Sequence, residues 1–168
     1  MVVYLGLGSN LGDRRSEIAQ AIRALARLGQ VAASSALYET EPEGGADQPM
    51  YLNAAVRLET ALSARALLHA CLGIERAQER VRPTDAAKAP RTIDIDLLLY
   101  GTAVIEEPGL RVPHPALLSR PFVRIPLAEV ALPDLRHPVS GQSLATCTPD
   151  PSVRRLDQLT YSPAGGSS

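Results

Sequence analysis

The sequence has no tryptophan, a single phenylalanine and two cysteines, and only 4% of its 168 residues are aromatic. Aliphatic side chains must therefore build any core, without the large areas that aromatic rings bury. Cys71 and Cys147 are too few for a disulfide framework or a cysteine metal site. Cys71 follows an apolar helical stretch and is expected in the core. A basic excess is also missing: the net charge is −1, which excludes a bulk electrostatic binder of nucleic acid. No apolar run approaches the roughly 20 residues of a membrane span. The apolar start Val2–Leu7 has no basic n-region and runs into Gly8-Ser9-Asn10, so no secretory signal is expected there. Lysine is nearly absent, since of 17 basic residues only Lys88 is one. Genomic base composition accounts for such a bias in general, yet individual guanidinium groups also bind phosphate in a fixed fork. What is present is ordinary for a globular domain: 45% hydrophobic and 21% charged residues. The length suits one domain with a self-sufficient core. A cytoplasmic enzyme or binding domain is the expectation.

The hydrophobic pattern predicts a buried strand over Val2–Leu7, a turn over Ser9–Asp13, and a helix carrying Ile18, Ile22 and Leu25 that Gly29 ends. Val31–Thr40 reads as extended. Glu41–Met50 has two prolines, two adjacent glycines and three acids, which predicts a long functional loop. Leu52–Thr60 alternates as a strand. A helix opening at Ser63 carries Leu67, Leu68, Cys71 and Ile74 and can reach Arg80 or Val81. Pro83–Pro90 is a second loop, Ile93–Leu99 a strand, Pro113–Ser119 a turn, and Pro121–Val130 a helix begun by proline. Residues 1–146 are expected to form the domain, and 147–168, ending Pro-Ala-Gly-Gly-Ser-Ser, a loose tail. The order of elements predicts an α+β, ferredoxin-like antiparallel sheet with helices packed on one face. A doubly wound sheet fits less well, because no helix separates the second and third strands.

Pro90-Arg91-Thr92-Ile93-Asp94-Ile95-Asp96-Leu97-Leu98 is the strongest local signal. Residues i and i+2 of a strand share a face, so Asp94 and Asp96 lie roughly 6.6 Å apart along it. Two carboxylates so placed can converge on one or two divalent ions, and all-oxygen donors favour Mg²⁺. A solvent-facing edge strand would look the same. Arg76, Arg80, Arg82 and Arg91 cluster before the pair. They could clamp phosphates, or, as for Arg76, simply favour a helix end. Tyr51 and Asn53 are again i and i+2, and a ring beside an amide could hold a flat heterocycle. His114, in Val112-Pro113-His114-Pro115, suits a phosphate contact or a turn cap equally. Gly6-Leu7-Gly8-Ser9-Asn10-Leu11-Gly12 is one residue too long for a dinucleotide fingerprint and reads as a tight turn into a helix.

In this order the stretches resemble the 6-hydroxymethyl-7,8-dihydropterin pyrophosphokinases of folate biosynthesis, over about Val2 to Ser143. The resemblance is carried by Gly8-Ser9-Asn10-Leu11-Gly12, Asp47-Gln48-Pro49 with Tyr51-Leu52-Asn53-Ala54, and Glu75 with Arg80-Val81-Arg82. It continues through the Pro90–Leu98 motif, Val112-Pro113-His114, Arg120, Phe122 and Pro126-Leu127. It implies that the pterin hydroxymethyl oxygen attacks the β-phosphorus of ATP and AMP leaves. It implies two Mg²⁺ ions held by Asp94 and Asp96, with Arg82 and Arg91 also in catalytic roles. Tyr51 and Phe122 would sandwich the pterin, Asn53 would bond its edge, and Thr40, Pro42 and Gly44 would complete the pocket. Glu75, Arg80, Arg82, Lys88, Arg91, His114 and Arg120 would line the ATP site. The substrates would be ATP and the pterin, with no nucleic acid or membrane partner, on a monomer. Ala87, Lys88, Gly109 and Arg111 depart from the family pattern. Two other functions remain open at this point: a ferredoxin-like module that only binds a small ligand, and a single-phosphoryl transferase that would release ADP.

Overall fold

β1 (Val2–Ser9) leads through a turn at Gly12 into α1 (Arg14–Leu25) in a computed structural model that describes residues 1–41, 50–79 and 93–159. Gly12 takes φ +65°, a conformation that side chains resist. Asp13 caps α1, its carboxylate accepting from the Ser16 N–H at 3.1 Å. The extended stretch that follows is two strands, β2 (Gln30–Ser34) and β3 (Ala36–Thr40). They part at Ser35, whose hydroxyl accepts from the Ala55 N–H at 2.9 Å and so stands in for a ladder carbonyl. β4 (Tyr51–Glu59), α2 (Ala64–Glu79) and β5 (Asp94–Tyr100) come next. A small hairpin, β6 (Ile105–Glu107) and β7 (Leu110–Val112), precedes α3 (Pro121–Val130) and β8 (Val153–Gln158).

The large sheet runs β5-β1-β4-β3-β8, with β2 also beside β4, and all its pairings are antiparallel. Alternation along β1 divides its two faces. Val3, Leu5 and Leu7 pack with Ile18, Ile22, Leu25, Leu67 and Cys71 beneath α1 and α2. Tyr4, with Leu98 of β5, meets Leu127 and Val130 of α3 on the opposite side. The expectation that helices cover one face is therefore corrected: α3 has its own apolar stripe and takes the second face. Arg57 fixes its end, donating to the Val130 carbonyl at 2.7 Å, where a helix leaves acceptors unmet.

Three further differences have physical causes. Gly29 does not end α1, which stops at Leu25 with Ala26 as cap. Its role is space, because a Cβ there would sit 2.0 Å from the Glu59 carbonyl oxygen. The β6–β7 hairpin was not foreseen; Gly109, at φ +75°, makes its turn, and Arg111 pairs with Glu106. Nor is the segment after Ala145 all loose, since β8 pairs with β3. Charge holds it there: Arg154 bonds Glu39, Arg155 bonds Glu129, and Asp157 bonds Arg15. Cys71 is buried as expected, and burial, then Glu75 and Asp96, push its thiol up to about 12. Among the described residues no helix is long and apolar enough to cross a membrane.

Candidate active site

The open half of the α3 face is built by register. Gly8 of β1 stands opposite Asp94 of β5 on one side and Asn53 of β4 on the other. Gly6 stands opposite Asp96. Thr40 pairs with Tyr51, and Tyr38 with Asn53. Because i and i+2 share a face, these registers bring both aspartates, Tyr51 and Asn53 to one side of the sheet. They enclose an open pocket of about 330 Å³. Thr40, Tyr51 and Asn53 form one wall, Asp94 and Asp96 the other, and Gly6 and Gly8 the floor between them. Arg120 and Phe122, at the start of α3, close a third side.

Each wall is held in place. The Asn53 amide is buried and donates to Thr40 Oγ1 at 2.9 Å, which turns its Oδ1 toward Gly8. The Arg120 guanidinium lies 5.7 Å from the Phe122 ring centroid, within cation–π range. Asp96 is exposed and Asp94 half-buried. Among the described residues no group of three or more His, Cys, Asp or Glu side chains could hold a metal. Asp94 and Asp96 offer carboxylate oxygens only, a donor type that suits Mg²⁺, which keeps waters and phosphate oxygens for the rest of its shell.

Two residues expected at the site do not line the pocket. Glu75 lies behind β5, 6% exposed, and its Oε1 accepts from the Ile95 N–H at 2.9 Å. It grips the peptide between the two aspartates. His114 is tied to β5 through its N–H to the Leu98 carbonyl at 3.0 Å. Its Nδ1 accepts from the Ala116 N–H, so the neutral ring carries its proton on Nε2. Pro42, Gly44, Arg80, Arg82, Lys88 and Arg91 lie outside the described residues. The sequence reading missed Gly6 and Gly8 as the floor. Glycines alternating within an apolar strand were the available signal, since their absent side chains open one face.

The fold is thus an α+β sheet with an open pocket on its α3 face, where paired carboxylates stand across from a ring and an amide. Residues 4–132 match the family model of 7,8-dihydro-6-hydroxymethylpterin-pyrophosphokinase. A 2-amino-4-hydroxy-6-hydroxymethyldihydropteridine pyrophosphokinase of Pseudomonas aeruginosa is 43% identical over 159 residues, covering 92% of this chain and 96% of the relative. One from Methylorubrum extorquens is 47% identical over 134 residues, 79% of this chain and 83% of its own. In fold, the wild-type HPPK-DHPS of Plasmodium falciparum solved with pteroate superposes with a TM-score of 0.71 at 14% identity. That match covers 95% of this chain and 49% of the other, so the chain spans about half its length. The chain belongs to the 7,8-dihydro-6-hydroxymethylpterin-pyrophosphokinase family. It is an ATP-using transferase of folate biosynthesis, moving pyrophosphate from ATP to hydroxymethyldihydropterin.

Proposed function

We propose that the transfer takes place in the pocket between Asp94 and Tyr51. The pterin ring lies between Tyr51 and Phe122, with Asn53 on its edge and Thr40 beside it. Pro42 and Gly44 are further pterin-binding residues, as the family resemblance implies. The triphosphate lies over Asp94 and Asp96. Two Mg²⁺ ions held there would neutralise charge on the phosphates and on the attacking and leaving oxygens. The hydroxymethyl oxygen bonds to the β-phosphorus as the bond to the AMP oxygen breaks. The chain's own work is positioning, which brings reacting groups together without new covalent chemistry.

The observation that supports this most is the placement of Asp94 and Asp96 across Gly8 and Gly6 from Tyr51 and Asn53. Side chains at Gly6 and Gly8 would occupy the space between donors and ring. Arg120 reaches the phosphates from beside Phe122. His114 offers Nε2–H to ATP, and Arg82 and Arg91 carry the catalytic charge, with Arg80 and Lys88 as further nucleotide contacts. Glu75, expected at the ATP site, also supports β5 from behind the pocket. All these side chains come from one chain, so a monomer suffices, and the free thiols of Cys71 and Cys147 suit a reducing cytoplasm.

Equilibrium dialysis with Mn²⁺ and a non-hydrolysable ATP analogue tests the metal count, alongside nucleotide product analysis with the pterin. About two ions per chain are expected, together with pterin-dependent AMP and no ADP. One ion per chain overturns the two-metal site. ADP as product would support instead a single-phosphoryl transfer.

A further inference from the structure

Behind the pocket wall, on the other face of β3 and β4, lies a charge cluster that none of the roles above uses. Glu39 precedes Thr40 and points the opposite way, with only 11% of its side chain exposed. It lies between two arginines from distant parts of the chain. Arg14, in the first turn of α1, approaches its Oε2 at 3.3 Å, and Arg154 of β8 bonds its Oε1 at 2.6 Å. The other Arg14 nitrogen, Nη1, donates to the Met50 carbonyl at 2.6 Å. One guanidinium therefore holds both strands at the end of their ladder. It grips β3 through Glu39, next to Thr40, and the residue that leads into β4, Met50, next to Tyr51.

We infer that Arg14 is a positioning residue for the pterin pocket, and that Arg154 supports it through Glu39. It rests on the pterin site proposed above. Thr40–Tyr51 is the last pair of the β3–β4 ladder among the described residues. Both of these residues, and Asn53 bonded to Thr40, line the pocket wall. An arginine fork that ties a buried carboxylate and a backbone carbonyl in one plane fixes the distance between the two strands. The separation of Thr40 from Tyr51 then does not depend on the ladder alone. A lysine would keep the charge but present a single point, so it cannot hold both acceptors in the same geometry. The aspartate wall on β5 has no contact with this cluster among the bonds described, so the effect should fall on pterin rather than on ATP.

The test is a fluorescence titration of hydroxymethyldihydropterin with Arg14→Gln, Arg14→Lys and Arg154→Gln, with KM for ATP and thermal unfolding measured in parallel. Arg14→Gln should bind pterin about five- to tenfold more weakly, the scale of losing part of a charge-assisted hydrogen bond. Arg14→Lys should lie between it and the wild type. Arg154→Gln, which removes only a bond to Glu39 among the described residues, should show a smaller loss. KM for ATP should stay within about twofold, well inside one decade of affinity. Arg15→Gln breaks the neighbouring exposed pair with Asp157 and should leave pterin affinity unchanged. Unchanged pterin affinity in folded Arg14→Gln, or an equal loss for ATP, overturns the positioning role. Should Arg14→Gln not fold, wild-type affinity in both Arg14→Lys and Arg154→Gln overturns it equally. A wild-type protein that binds no pterin refutes the site itself, which is a separate result from a failed clamp.

Discussion

Removing the Glu75 carboxylate should weaken both the fold and the metal site, and the two effects can be read separately. Glu75 and Ile95 are 6% and 5% exposed, and the bond between Oε1 and the Ile95 N–H is 2.9 Å. Among the described residues β5 pairs within the sheet only with β1, so this N–H looks outward from the ladder toward α2. A hydrogen bond to a charged acceptor contributes about 1.5–3 kcal/mol, and a buried donor left unmet costs a similar amount. For a domain of this size each kcal/mol moves Tm by about 2–4 °C, so Glu75→Ala should melt roughly 3–12 °C lower. Glu75→Gln keeps a carbonyl oxygen at the same place and should recover about half, as a neutral bond is worth about 0.5–1.5 kcal/mol. The second readout is the Mg²⁺ concentration for half-maximal AMP formation. Ile95 sits between Asp94 and Asp96, so a loosened peptide there should raise that midpoint about three- to tenfold, since each tenfold corresponds to only about 1.4 kcal/mol. Differential scanning calorimetry and an Mg²⁺ titration of turnover are sufficient. Wild-type melting together with a wild-type Mg²⁺ midpoint in Glu75→Ala would refute the support role. So would a glutamine variant worse than the alanine one.

Asp96→Ala should abolish AMP formation while pterin binding stays near wild type, because the metals serve the phosphates; an active variant removes the two-metal site. Phe122→Ala should weaken pterin binding by about 1–3 kcal/mol, the scale of aromatic stacking on a base, with KM for ATP little changed; an unaltered titration would return Phe122 to packing. Cys71 predicts an alkaline effect: the ordinary thiol value is near 9 and the folded one about 12. The unfolded chain therefore loses its proton first, and stability falls as pH rises from about 9 to about 12, by up to ~1.4 kcal/mol per pH unit. Urea unfolding of Cys71→Ala over that range should show a shallower slope, and an identical slope would contradict the burial effect.

Much of the pocket lining could be read in the sequence because its logic is local. Asp94 with Asp96, and Tyr51 with Asn53, are each two residues apart on one strand, and period-two geometry places such pairs on one face without tertiary information. The helix faces of α1 and α2 followed equally from spacing. What was missed depends on long-range pairing. β8 has only Val153 and Leu156 as apolar residues, three apart, which matches no strand period. Its place is set by Arg154, Arg155 and Asp157 finding partners more than 25 residues away. Glu75 carried no mark that distinguished a ligand of substrate from a support of β5. Both uses demand a carboxylate on the same turn of the helix, and only the fold shows that its Oε1 meets the Ile95 N–H.

The glycine floor bears on inhibition and resistance. Beneath Gly6 and Gly8 the strand turns Leu5 and Leu7 into a filled core, so the floor is backbone that cannot sink or rise. A flat inhibitor pressed against it meets two positions where a mutation could add bulk. A Cβ at Gly8 would lie 3.5 Å from Asn53 Oδ1 and one at Gly6 3.5 Å from Leu98, ordinary contact distances that the fold can accept. Each would also fill space in the proposed pterin site. A drug that stays within the outline of the pterin therefore leaves the enzyme few escapes through its floor, and resistance would have to arise at the rim.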